Sequence, residues 1–288
     1  MLKIHSGHFL FIFLLIFTGI SCQKQEEVQT LLPKNFPGGS VYNPNDTTPI
    51  SWNPDNIKSS PLNIAVSSEF DGDIVSGIHP VINMMTIWNN SISINFFNLH
   101  PSFVVNKDLN DLSDYQDNEM GIYKSHKWFS DVTSNALAVT QYFAYRKNSP
   151  YGGTYYEMSH ADIVLNYRDF SFSSPPLGLN QFDLRSVLIH EMGHMLGLQH
   201  NSSAPGAIMY PYLDDQEVRI TPSQDDKNKL SLLYNGHLSA LSSPSGMASY
   251  SEEENIPWPP SIRVIVEMDA DHRCRHFINN KIIYEHPW

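Results

Sequence analysis

The run His190-Glu191-Met192-Gly193-His194-Met195-Leu196-Gly197-Leu198-Gln199-His200 constrains this chain more than any other stretch. Histidines four apart on a helix stand on one face, one turn from each other, where two imidazoles reach a common ion. The spacing predicts a helix over 184–196, with Asp183 as its N-cap. Gly197 lets the chain leave that helix in a conformation other residues adopt less readily. The chain then turns back, and His200 supplies a third nitrogen. Three protein nitrogens leave a fourth position for water, as in a catalytic zinc site and not a structural one. Glu191, beside the first ligand, is placed to act as general base. Two histidines on a helix are often surface decoration. Five specified residues in register are different, because a chance match in a chain this long is on the order of 1 in 100,000.

The stretch that follows reads Asn201-Ser202-Ser203-Ala204-Pro205-Gly206-Ala207-Ile208-Met209-Tyr210-Pro211. A methionine in a tight, Pro-bounded turn soon after the third histidine resembles the Met-turn of the metzincins. Its wording resembles the matrixin branch, and Ala161-Asp162-Ile163-Val164-Leu165-Asn166 is similar to a strand of bacterial matrixin-like proteases. The resemblance covers roughly residues 52–235. It implies an α+β zincin fold: a twisted mixed β-sheet with an active-site helix, a Met-turn and a C-terminal helix. It also implies a zinc-dependent endopeptidase with His190, His194 and His200 on one Zn2+ and Glu191 as base. Met209 would lie beneath the ligands without binding metal. Ser186, four residues before His190, would set the floor of an apolar pocket for the residue after the scissile bond. Pro211, Tyr212 and Leu213 would form its outer wall. The family pattern Met-Tyr-Pro-x-Tyr has its second tyrosine one place later than here, so Tyr212 or Leu213 faces the substrate. A substrate strand is expected to pair along an edge of the sheet. The rival reading is a non-catalytic surface lipoprotein that uses this fold to bind a host or matrix protein.

Animal matrixins carry a propeptide cysteine that blocks the zinc, and an insertion with further zinc and calcium ligands. Here no cysteine lies between Cys22 and Cys274. Asp46 or Asp55 is a candidate to block the zinc in its place, but a plain solvated tether is the preferred reading. The Phe170–Asn180 loop lacks room and ligands for the insertion. Calcium has only the Asp/Asn-rich stretch 105–120 to bind, and its spacing fits no calcium-loop motif. His160 reads as a strand-edge residue and not a ligand.

A formal charge of −12 over 288 residues argues against a nucleic-acid partner, while 41% hydrophobic residues allow a real core. Lys3, the apolar run Phe9–Phe17 and small residues before Cys22 form an export signal too short for a membrane span. Gly19-Ile20-Ser21-Cys22 resembles a relaxed bacterial lipobox, in which Cys22 is lipidated and anchors the chain. The alternative is a plain cleaved signal and secretion. Gln23 points to an outer membrane or cell surface. With Cys22 lipidated, Cys274 has no partner and there is no disulfide framework.

The expected organisation is a signal over 1–22, a tether over 23–51, a catalytic domain over 52–236, a linker over 237–261 and an extension over 262–288. Leu62–Val66 alternates as a first strand and Ile94–Phe97 reads as a second. Asp71 or Asp73 caps a helix carrying Ile74, Ile78, Val81, Ile82, Met85 and Trp88. Residues 136–145 and 155–166 read as strands around a turn at Tyr151-Gly152-Gly153. Thr221 and Pro222 start a last helix. The extension has two strand-like runs, Ile262–Val266 and Lys281–Tyr284, but no assignable role.

Overall fold

The computed structural model describes residues 49–148, 154–201, 203–235, 260–270, 274–279 and 281–286. The expected export signal, Cys22, Asp46, the expected turn at Tyr151–Gly153 and nearly all of the expected linker over 237–261 lie outside the described residues. The described chain forms β1 (Ile50–Ser51), α1 (Pro54–Ser59), β2 (Ala65–Ser67), α2 (Pro80–Asn89), β3 (Ser102–Val104) and β4 (Gly121–Ser125). The long strands β5 (Ala136–Asn148) and β6 (Thr154–Asn166) follow, then the short pair β7 (Ser171–Ser173) and β8 (Gln181–Asp183). After these come α3 (Leu184–Met195), α4 (Gln224–Tyr234), β9 (Ser261–Asp269), β10 (Cys274–Ile278) and β11 (Lys281–His286). The main sheet runs β11-β10-β9-β5-β6-β4-β2-β3, with β1 paired to β6. Strands β2, β3, β4 and β6 are parallel, whereas β5, β9, β10 and β11 each run antiparallel to the preceding neighbour. This is an α+β architecture with a mixed sheet.

Side chains alternate across the sheet, as period-two geometry requires. Ile122, Ala138, Ile163 and Leu165 join the main core with α2, α3 and α4. Tyr123, Val139 and Val164 join a second cluster with Leu112, Trp128 and Phe129 on the opposite face. The C-terminal extension obeys the same rule: Ile262, Val264, Val266 and Met268 of β9 belong to the main core. Among the described residues, no helix is long and apolar enough to cross a membrane.

The structure corrects several expected elements. The helix assigned from Asp71 or Asp73 begins instead at Pro80, with His79 in extended conformation as its cap. Proline favours the first helical position and pushes the preceding residue out of helix space. Ser76 and Gly77 also have positive φ, which a helix cannot accommodate. Ile74 and Ile78 are therefore exposed. Ile94–Phe97 is no strand, because the Asn89 side chain takes the N–H groups of Phe96 and Phe97 and donates to the Phe97 carbonyl. The edge strand is Ser102–Val104, parallel to β2. The cap of α4 is Ser223, not Thr221, because Asp226 closes a capping box with it. Ile50 and Ser51, at the end of the expected tether, already pair with Tyr156 and Glu157.

Candidate metal centre and active site

Helix α3 starts where the Asp183 carboxylate accepts from the Ser186 N–H at 3.0 Å and the Ser186 hydroxyl at 2.6 Å. Nearly every residue of α3 is buried. Trp88 of α2 donates its indole N–H to Ile189 O (2.9 Å), and Trp52 donates to Met195 O (2.8 Å). The helix ends at Gly197, whose φ of +85° lies in the left-handed region. A Cβ there would also collide with the Ile50 carbonyl oxygen, so the site admits glycine on two counts.

This turn brings His200 back over the helix. The Nε2 atoms of His190, His194 and His200 lie 3.0, 3.1 and 2.9 Å from one another in pairs. His190 Nδ1 faces Ile208 O and His194 Nδ1 faces Leu198 O, both at 2.8 Å. A carbonyl only accepts, so each Nδ1 carries the proton and each Nε2 presents a bare lone pair. Burial holds His190 down to about 4 and His194 well below the usual imidazole range. Neutral imidazoles with converging lone pairs repel unless a cation lies between them, and three nitrogens suit zinc. Among the described residues, this trio is the one grouping of three or more histidine, cysteine or carboxylate side chains close enough to share an ion. The acidic stretch 105–120 forms no such group, so the residues fit one zinc and give no support for calcium.

Glu191 is fully buried, and burial pushes its carboxyl up to about 8. A dication beside it acts in the opposite direction and favours the carboxylate. One carboxylate oxygen accepts from the Thr140 hydroxyl of β5, and the other, Oε1, is buried with no protein partner. Met209 packs so closely on α3 that a Cβ at Gly193, next to His194, would run into its sulfur. The turn that carries it is closed by Asn201 N–H donating to Met209 O at 2.7 Å. Asp226 of α4 holds the turn from below, accepting from Ile208 N (2.9 Å) and Met209 N (3.3 Å).

Ser186 is buried, and its hydroxyl also accepts from Arg219 N at 2.7 Å. Leu213 packs in the main core, while Tyr212 is buried against the Tyr210 ring. Pro211 is buried as well. His160 lies on interior strand β6 and not at an edge, with Nε2 on Asp162 at 2.6 Å and near Tyr115 O. Asp55 caps nothing at the centre; it is exposed in α1. The outer side of β5, beside Glu191, is paired with β9 from Ala136 to Tyr145. A substrate strand therefore does not pair there while β9 is in place.

Four residues of the site escape the motif: Thr140, Gly193, Asp226 and His276. Asp226 is legible in the sequence as the fourth residue of a Ser-x-x-Asp capping box. Gly193 sits at an unspecified motif position, and Thr140 and His276 arrive from strands whose pairing a sequence does not show.

The matrixin family model matches residues 79–235 of the chain. The chain is 45% identical over 53 residues to Metalloendoproteinase 1 of Glycine max, covering 18% of this chain and 17% of that protein. It is 47% identical over 57 residues to Matrix metalloproteinase-25 of Homo sapiens, 18% and 10% of the two chains. A longer match, 30% identical over 136 residues, joins it to Stromelysin-3 of Xenopus laevis, 45% and 27% of the two. The chain thus spans about a quarter or less of the length of the curated relatives it matches. With the matched region running from α2 through the three histidines and the Met-turn to the end of α4, the chain belongs to the matrixin family.

Proposed function

We propose that the chain is a zinc-dependent endopeptidase acting on protein or peptide substrates. The observation that carries this is the convergence of the Nε2 atoms of three histidines, within about 3 Å of one another, with the unpartnered Glu191 Oε1 on the helix that bears two of them. Zinc supplies an acidified water and a polarised scissile carbonyl when bound. Glu191 takes the proton from the attacking water and passes it to the leaving amine. Thr140 holds the other oxygen of that carboxylate, so Oε1 is the one free to work. Incubating the purified chain with a mixed peptide library, with and without chelator, tests this. Zinc-dependent cleavage supports it, and no cleavage by the zinc-loaded chain opposes it.

For specificity, we read Ser186 as the floor of the pocket after the scissile bond. Its small side chain at the first turn of α3, bridged to Arg219, supports this. Since Leu213 packs in the core, Tyr212 with Pro211 is the better wall. The chain is consistent with an exported protein. We further propose lipidation of Cys22 and anchoring at a bacterial outer membrane or cell surface, on the lipobox-like Gly19-Ile20-Ser21-Cys22. Mass spectrometry of the mature N-terminus decides between this and plain secretion.

A further inference from the structure

Two of the three ligand histidines have their Nδ1 fixed by main-chain carbonyls from the segment that follows α3. The third is different. His200 Nδ1 meets Nε2 of His276 at 2.6 Å, and the two rings stand at 75° with centroids 4.6 Å apart. His276 is buried and lies on β10, beyond the region shared with matrixins, which ends at residue 235.

The sheet register explains how so distant a residue reaches the centre. Thr140 of β5 pairs with Val266 of β9, and Val266 pairs with His276 of β10. The three form one row across three strands. Thr140 faces α3, since its hydroxyl bonds Glu191, and Val266 packs in the same core. Residues directly opposite one another share a face, so His276 also faces α3. A slip of one residue would turn it to the other side, where Phe277 now packs. The row thus carries one polar contact to the base at one end and one to a ligand at the other.

We propose that His276 is a positioning residue for the zinc ligand His200, and that the C-terminal strands β9 and β10 complete the metal centre. The inference rests on the zinc reading above. With Nε2 of His200 given to zinc, its Nδ1 holds the proton and donates it. His276 Nε2 is then the acceptor, and its own proton sits on Nδ1. Such a contact fixes the ring of the ligand and raises its basicity.

The test uses the full chain and its His276→Ala, His276→Leu and His276→Gln variants, with zinc affinity measured by competition against a chromogenic chelator. Ala and Leu should weaken zinc by about 10–100-fold, the usual loss for an outer-shell partner. Gln offers an amide oxygen near the place of Nε2 and should restore most of the affinity. Equal affinity in all four folded proteins overturns the proposal, as does Gln binding no better than Leu, which would make the role one of packing. Failure of the unsubstituted chain to bind zinc would instead remove the zinc reading itself. A second measurement needs no substitution: long-range 1H–15N spectra of the zinc-loaded chain should show His276 protonated on Nδ1 and unprotonated on Nε2. The opposite tautomer overturns the proposal.

Discussion

The two oxygens of Glu191 stand in different surroundings. The Thr140 hydroxyl takes one, and Oε1 is left without a protein partner in a buried site. Replacing Glu191 by Ala should abolish peptide cleavage while zinc stays bound, because the ligands do not include it. Metal analysis beside a peptide assay checks this, and a variant as fast as the parent removes Glu191 as the base. Thr140→Val keeps the shape and deletes the hydroxyl. That hydrogen bond lowers the Glu191 pKa against the larger, raising effect of burial. Its loss should therefore move the acid limb of the pH–rate profile to higher pH. A hydrogen bond to a charged group contributes about 1.5–3 kcal/mol, so activity near neutrality should fall roughly 10–100-fold. An unmoved acid limb would show that Thr140 does not act on the base. Ser186→Arg addresses specificity. A deep slot gains roughly 0.8 kcal/mol per buried methylene, so Leu or Met should be preferred over Ala after the cut in the parent. The longer side chain should shift that preference to smaller residues. Library profiling of both folded forms reads the result, and an unchanged preference removes Ser186 from the pocket.

Between elements, the joint that matters most is Asp226. Its carboxylate accepts from Ser223 N and Oγ to start α4, and from Ile208 N and Met209 N to fix the Met-turn. Asp226→Ala leaves several buried donors unmet and removes a cap. It should lower stability by about 2–4 kcal/mol in urea titration. A loss below about 1 kcal/mol would mean that water replaces the carboxylate. This joint also shows what a sequence reveals. Capping is local, so Asp183 is legible from the residues around it; Ser223 with Asp226 carries the same local signal, but the competing Thr221-Pro222 pair two residues earlier hides it. The zinc trio is legible because helix period and turn glycine fix it within eleven residues. The helix start at Pro80 is masked in the sequence, because an apolar stripe at helical spacing continues upstream through Ile74 and Ile78, where Ser76 and Gly77 break the backbone. Strand β4 leaves little signal, being short and holding buried Lys124, which is paired with Asp73 at 2.6 Å. The strand-like runs of the extension are visible, but their partner is not. Pairing of β9 with β5 joins residues more than a hundred positions apart, and alternation within a strand carries no record of its neighbour.

For the whole molecule, the centre ties together parts that are remote in the chain. The ligands sit on α3 and the turn after it, Ile50 of β1 packs under Gly197, and α4 holds the Met-turn. His276 of β10 touches His200, and Thr140 of the interior strand β5 touches Glu191. No such convergence exists in an unfolded chain, so zinc binds the folded state far better and its binding energy adds to folding. It also relieves the facing lone pairs of His190 and His194. With zinc at a thousandfold above its dissociation constant, linkage adds about 4 kcal/mol. For a domain of this size that corresponds to roughly 8–16 °C in Tm. Chelation should lower the melting transition by about that much, and added zinc should restore it. Magnesium, which prefers oxygen ligands, should not. A transition that stays in place while metal analysis shows the site empty would mean that the apolar core holds the histidines together unaided.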